Sequence, residues 1–261
     1  MHRISLEEID ATIDTGVAFS IGTRDEQQDA FLLNSKPGSF LAAICDGMGG
    51  LCSGRQASAV AIDALRQMYQ TESGIHNFAD FFQFAVEKLD ERVFALREIN
   101  SRAAVGTTIV AAGLSGDQLY WLSVGDSRLY LIRNEEIVCV TRDHNYLLLL
   151  EQAYRSQKIT EAVFNEEKKR GEALVSYIGM GGIELMDCNT KPFILLPDDV
   201  ILLMSDGLYR CLPQDEIHRI VLEGKSAAEI AADLVSKSES NVQQRDNTTV
   251  IVIKMNGVSG K

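Results

Sequence analysis

Residues 107–141, TTIVAAGLSGDQLYWLSVGDSRLYLIRNEEIVCVT, contain four short runs rich in β-branched and aromatic residues, at 107–114, 118–124, 128–133 and 137–141. Ser115-Gly116-Asp117 and Asn134-Glu135 supply turn signals between them, and the even spacing predicts an antiparallel meander. Toward the N-terminus, residues 54–70 place Ala57, Val60, Ala61, Ala64, Leu65 and Met68 on one helical face. Residues 77–99 carry a second stripe of Phe78, Phe81, Phe82, Ala85, Leu89, Val93 and Leu96. Ahead of both helices, 17–23, 30–34 and 40–45 read as strands. On the C-terminal side, 145–182 changes to a Leu run, a charged block at 166–170 and Gly179-Met180-Gly181-Gly182, the pattern of a helical, partly exposed insertion. Strands follow at 183–188 and 200–204, helices at 213–222 and 227–237, and a last strand at 248–255. Strands in blocks with paired helices between them, without βαβ alternation, predict an α+β sandwich of antiparallel sheets with helices outside. No Pro-rich or Gly/Ser linker divides the chain, so 1–261 reads as one domain.

Composition removes several function classes. With 25 Lys plus Arg against 37 Asp plus Glu, the net charge of −12 argues against a nucleic-acid surface. The longest apolar run, 40–45, falls far short of the roughly 18 residues of a membrane span. Glu7, Glu8 and Asp10 stand where a secretion signal needs basic and then apolar residues. Five cysteines with no CxxC spacing read as reduced thiols of a cytoplasmic protein. No heptad or extended apolar edge announces an oligomer, so a monomer is expected.

Three apolar strands share one kind of ending. Residues 40–45 stop at Asp46-Gly47, 119–124 at Gly125-Asp126-Ser127, and 200–205 at Asp206-Gly207, while Asp246-Asn247 opens the final strand. Singly, each Asp reads as a turn residue. Together, carboxylates gathered at one sheet edge need a cation to offset their charge. Oxygen donors suit Mg²⁺ or Mn²⁺, and His2, His76, His144 and His218 offer no zinc spacing. A carboxylate-held pair of ions commonly activates water for attack on phosphorus, which makes phosphoryl hydrolysis the leading chemistry.

Arg24-Asp25-Glu26-Gln27-Gln28-Asp29, Cys45-Asp46-Gly47-Met48-Gly49-Gly50, Gly106-Thr107-Thr108, Val124-Gly125-Asp126-Ser127-Arg128, Ser205-Asp206-Gly207 and Asp246-Asn247-Thr248-Thr249 occur in this order. In these motifs the chain resembles bacterial metal-dependent protein serine/threonine phosphatases of the PPM/PP2C family, over 17–255. The resemblance implies a four-layer αββα sandwich, two mostly antiparallel sheets flanked by helix pairs, with a metal centre in a cleft at one end. It implies that Asp46 bridges two ions, Mn²⁺ or Mg²⁺, with the Gly47 carbonyl on the second and Asp206 and Asp246 on the first. Asp126 with Asp206 resembles a third, weaker site, and Asp29 the residue of the metal site that orients metal-bound water. Arg24 resembles the phosphate-binding arginine, a planar fork suited to two phosphate oxygens. The implied reaction is direct attack of a metal-bridging hydroxide on phosphoserine or phosphothreonine in protein substrates of a cognate kinase, without a covalent intermediate.

Departures from the family pattern are visible. Met48 stands where eukaryotic relatives often have a histidine proposed as acid, so a metal-bound water is expected to protonate the leaving group. Gln28 replaces a common Glu, which removes one charge near the second ion. Residues 174–179 lack an arginine that many relatives carry there, and 145–182 matches the family's mobile flap. His144, in Arg142-Asp143-His144-Asn145, reads as a structural hydrogen-bonding residue. The rival readings are a catalytically weak regulatory or binding module of the same fold and a nucleotide-binding loop at 47–50. Against the second, Cys52 breaks GxGxxG and no GxxxxGK[ST] exists; no GxSxG elbow supports a serine hydrolase either.

Overall fold

The computed structural model describes residues 2–4, 13–49, 53–72, 77–99, 105–241 and 246–256. Readings that fall on the acidic N-terminal stretch, Gly50, Cys52 and His76 lie outside the described residues. In chain order the elements are β1 (His2–Ile4), β2 (Ile13–Ser20), β3 (Asp29–Lys36), β4 (Ser39–Met48), α1 (Ser53–Thr71), α2 (Phe78–Phe94), α3 (Leu96–Ile99), β5 (Gly106–Thr107), β6 (Ile109–Ser115), β7 (Gln118–Val124), β8 (Arg128–Arg133) and β9 (Glu136–Cys139). Then come α4 (Tyr146–Arg155), α5 (Glu161–Glu167), β10 (Asp187–Cys188), β11 (Phe193–Ile194), β12 (Val200–Met204), α6 (Asp206–Tyr209), α7 (Gln214–Val221), α8 (Ala227–Glu239) and β13 (Thr248–Met255).

One sheet runs β1-β2-β13-β12-β8-β9 and the other β10-β7-β6-β4-β3, with β11 on β7 and β5 on β4, every pairing antiparallel. The side-chain period of two explains the layering. In β4, Leu41, Ala43 and Cys45 pack on α1 and α2, while Phe40, Ala42 and Ile44 meet the other sheet's Ile201, Leu203, Ile251 and Ile253. In β12, Leu202 and Met204 turn outward onto α7 and α8, against Ile217, Ile230 and Leu234. Strands apolar on both faces are thus buried on both faces, and the three cores stack as helix, sheet, sheet, helix. This is the predicted four-layer sandwich.

Several predicted bounds shift. The stripe over 77–99 divides at Ala95, the C-cap of α2; at its other end the Asn77 side chain accepts from Ala79 N. The strand predicted at 183–188 is reduced to Asp187–Cys188, because the Leu185 carbonyl is taken by the Ser176 hydroxyl at 2.7 Å. Asp206-Gly207 opens a helix where a turn is predicted. In 145–182, α4 and α5 are capped by Asn145 and Thr160, and of their residues only Leu150 is buried. No helix among the described residues is long and apolar enough to cross a membrane.

Candidate metal centre

The two sheets bring the Asp-bearing strand ends to one end of the sandwich. Asp29 of β3 and Asp46 of β4 are paired in register. The Asp46 backbone is held on both sides: its N–H donates to Thr108 Oγ1 at 3.1 Å, and its carbonyl accepts from Thr107 Oγ1 and Thr108 N, each at 2.8 Å. The main chain is therefore satisfied within the sheet and the side chain is left to the cleft. Gly47 packs against the Gly54 backbone so closely that a Cβ on it would lie 2.1 Å from Gly54 O, which explains why no larger residue stands there.

Asp126 sits in a turn fixed by a buried histidine. Gly125, at φ +106°, donates its N–H to His144 Nδ1 at 3.2 Å and accepts from His144 N at 2.8 Å. Asn247 fixes Asp246 from the next position, accepting from Gln28 N at 2.7 Å and donating to the Ile21 and Glu26 carbonyls at 2.9 and 3.0 Å. Asp206 follows β12 at the start of α6.

These residues line one cleft of about 350 Å³, with Arg24, Gln28, Gly47, Met48, Thr108, Glu172 and Arg210. Five carboxylates, Asp46, Asp126, Glu172, Asp206 and Asp246, face two guanidiniums there. Asp29 lies just behind them, its Oδ2 accepting from Ser205 Oγ at 2.8 Å and Thr249 Oγ1 at 2.7 Å. Burial, with repulsion from Asp206 and Asp246, pushes Asp29 up to about 7 despite those two hydrogen bonds. Burial and repulsion from Asp29, Asp206, Asp126 and Asp246 raise Asp46 well above the usual carboxylate range. Asp126 is pushed up to about 6, chiefly by burial and by Asp206, and Asp206 is raised chiefly by burial.

Like charges concentrated in a poorly hydrated space ionise fully only beside a counter-cation. Asp29 Oδ1 and Asp206 Oδ1 are buried without a hydrogen-bond donor, as oxygens awaiting a cation or water would be. No three His, Cys, Asp or Glu side chains among the described residues stand in a closed ligand arrangement. The carboxylates are instead distributed around the cleft wall, and arginines engage four of them, Arg24 on Asp246 and Arg210 on Asp126, Asp206 and Glu172. The donor set is all oxygen, which fits hard divalent ions.

Of the sequence-predicted residues, Arg24, Asp46, Gly47, Asp126, Asp206 and Asp246 share the cleft and Asp29 backs it. Arg24 donates to Asp246 Oδ2 at 2.7 Å. His144 does not line the cleft; it is fully buried under the Gly125 turn. Sequence reasoning missed Ser205 as a donor to Asp29, and it missed Arg210. The latter's guanidinium engages Asp206, Asp126 and Glu172, so both members of the pair expected to hold a third ion already have a cation beside them. The one signal for Arg210 is its place four residues after Asp206, legible only once 206–209 is known to be helical.

A family model described as protein phosphatase 2C matches residues 20–239. The serine/threonine phosphatase stp of Listeria innocua is 28% identical over 222 residues, covering 83% of this chain and 84% of that protein. Protein phosphatase PhpP of Streptococcus pneumoniae is 28% identical over 227 residues, covering 85% and 88%. Among solved structures, the S. agalactiae serine/threonine phosphatase superposes with a TM-score of 0.81 at 23% identity, over 94% of this chain and 100% of that one. The catalytic domain of the phosphatase PstP, in complex with two manganese ions, gives 0.74 at 24% identity, over 94% and 99%.

Proposed function

The chain belongs to the protein phosphatase 2C family and is a protein serine/threonine phosphatase; from that premise we propose that phosphoserine and phosphothreonine are hydrolysed in the cleft between Arg24, Asp46, Asp206 and Asp246. The observation that carries this reading is the convergence of these side chains from distant strand ends on one cleft whose carboxylates outnumber its guanidiniums.

The metal dependence general to the family is matched by the oxygen donors and by the two buried carboxylate oxygens that lack a donor. Asp46 would hold both of two ions, Mn²⁺ or Mg²⁺, with the Gly47 carbonyl on one and Asp206 and Asp246 on the other. Ions so held supply a water-derived nucleophile near neutral pH and offset charge on the phosphoryl group. Asp29, fixed at Oδ2 by Ser205 and Thr249, keeps Oδ1 to accept from a water and orient it. Arg24 is half-exposed and holds Asp246 through one nitrogen, so its fork can turn to two phosphate oxygens and leave phosphorus open. Met48 carries no proton to give, so the leaving alkoxide takes its proton from water in the cleft. The substrates are phosphorylated proteins made by a cognate serine/threonine kinase. The protein acts as a cytoplasmic monomer, one domain over 1–261 with 145–182 as a flap beside the cleft.

The test is hydrolysis of a phosphothreonine peptide with Mn²⁺ titrated from micromolar to millimolar, beside an EDTA control and Asp46→Asn. Metal-dependent turnover lost in the variant is expected. Absence of both turnover and Mn²⁺ binding in the wild type would leave a regulatory binding module as the better reading.

A further inference from the structure

Arg210 is the C-cap of α6, four residues after Asp206, and its N–H closes on the Asp206 carbonyl at 3.0 Å. Each nitrogen of its guanidinium goes to a different carboxylate. Nε is 2.8 Å from Asp206 Oδ2, Nη1 is 2.7 Å from Glu172 Oε2, and Nη2 is 3.5 Å from Asp126 Oδ2. Neighbouring residues hold this part of the chain in place. The Tyr209 hydroxyl donates to the Asp126 carbonyl at 3.0 Å, and the Arg128 guanidinium lies over the Tyr209 ring at 3.6 Å while pairing with Asp143. Arg24 differs: its side chain is 55% exposed and pairs with Asp246, itself 41% exposed, whereas Arg210 is 40% exposed and its partners Asp126 and Asp206 are 9% and 16% exposed.

We infer that Arg210 is a built-in cation for the Asp126 side of the cleft, standing where a further divalent ion would be shared by Asp126 and Asp206, so that the centre takes two ions and not three. The inference rests on the two-ion reading above and adds to it a fixed stoichiometry. A guanidinium does not give up its proton in the working pH range, so this charge is permanent, unlike that of a bound ion in exchange with solvent. A divalent ion within a few ångströms would meet its repulsion and could settle only by breaking its ion pairs with Asp126 and Asp206. Because Glu172 belongs to 145–182, the same side chain also ties that segment to the cleft wall.

The experiment counts Mn²⁺ bound to the full chain, by calorimetry and by anomalous scattering from crystals grown in millimolar Mn²⁺. Two ions per chain are expected for the wild type, with no anomalous peak in contact with Asp126. Arg210→Met is expected to gain a third, and Arg210→Met with Asp126→Asn to lose it again. Arg210→Lys, which keeps the charge, should stay at two. Three ions in the wild type would overturn the inference without recourse to any variant, as would an Arg210→Met protein of unchanged circular dichroism that still binds two. Either result leaves the phosphatase reading standing. A wild type that binds no Mn²⁺ would remove the two-ion reading and this inference together.

Discussion

Asp29 stands directly across from Asp46 in the β3–β4 ladder, two carboxylates facing each other at the end of a buried strand pair. Opposed like charges destabilise a sheet, and here burial adds to the cost. Asp29 is pushed up to about 7 and Asp126 to about 6, against an ordinary value of 3.8. The folded, metal-free protein therefore holds protons that the unfolded chain releases near pH 4. The stabilisation tied to those protons is complete below about pH 4 and is lost as pH rises through about 6 to 7. Metal-free protein is expected to fall in Tm by roughly 5 °C or more between pH 4.5 and 8, for a loss on the order of a few kcal/mol. Saturating Mn²⁺ should flatten or reverse that slope. Differential scanning calorimetry with and without EDTA checks it, and a metal-free Tm that rises steadily with pH would contradict the placement of these carboxylates.

Asp46→Asn separates function from stability. It removes the carboxylate paired across the ladder from Asp29 while keeping the size of the side chain. Hydrolysis should drop by about 10³-fold or more, the scale of losing a group that organises transition-state charge. The metal-free variant should nonetheless melt no lower than wild type at pH 8, because a buried repulsion is gone. Unchanged kcat at saturating Mn²⁺ would rule Asp46 out of the centre.

What could be read in advance follows a physical division. Strands such as 200–204 and the 250–253 stretch of β13 announce themselves because both faces are buried, so every position there is apolar, and a carboxylate near the end of such a run stands out. Phe193–Ile194 gives no comparable signal; two residues paired on β7 make no periodic pattern. Arg210 was hidden for a related reason. Its partners, Asp126 and Glu172, are distant in sequence, and its tie to Asp206 exists only because 206–209 is helical. His144 and Asp90 likewise take their meaning from backbone N–H groups of distant turns, which side-chain patterning does not record.

Arg24→Ala tests the phosphate clamp. With Mn²⁺ saturating, kcat/KM on a phosphothreonine peptide should fall by about 10- to 100-fold, as expected for losing a charge-assisted fork at the phosphoryl group. The side chain is half-exposed with one ion pair, so Tm should change little. Steady-state kinetics beside a thermal melt distinguishes this from misfolding: a normal kcat/KM removes Arg24 from the site, and a large loss of Tm makes it a structural residue.

Asp90, buried in α2, accepts backbone N–H groups from Gly179 at 2.6 Å, Gly181 at 3.1 Å and Gly182 at 2.6 Å. These glycines adopt φ of +103°, +88° and +144°, which lets successive N–H groups turn toward one carboxylate. The adjoining Ile178 exchanges hydrogen bonds with Thr107 at 3.0 and 2.8 Å, and Thr107 Oγ1 donates to the Asp46 carbonyl. A helix on the outer layer is thereby linked, through one glycine turn, to the backbone that carries Asp46. Asp90→Ala leaves buried donors unpaired and should cost roughly 2 to 4 kcal/mol. Because the turn joins Asp46 through Thr107, kcat should also fall, by less than in Asp46→Asn, and Asp90→Asn, which keeps one acceptor oxygen, should recover part of both. A melt and a kcat measurement on the three variants decide the matter. Loss of stability with kcat untouched would confine Asp90 to holding the turn, and no change in either would dissolve the link.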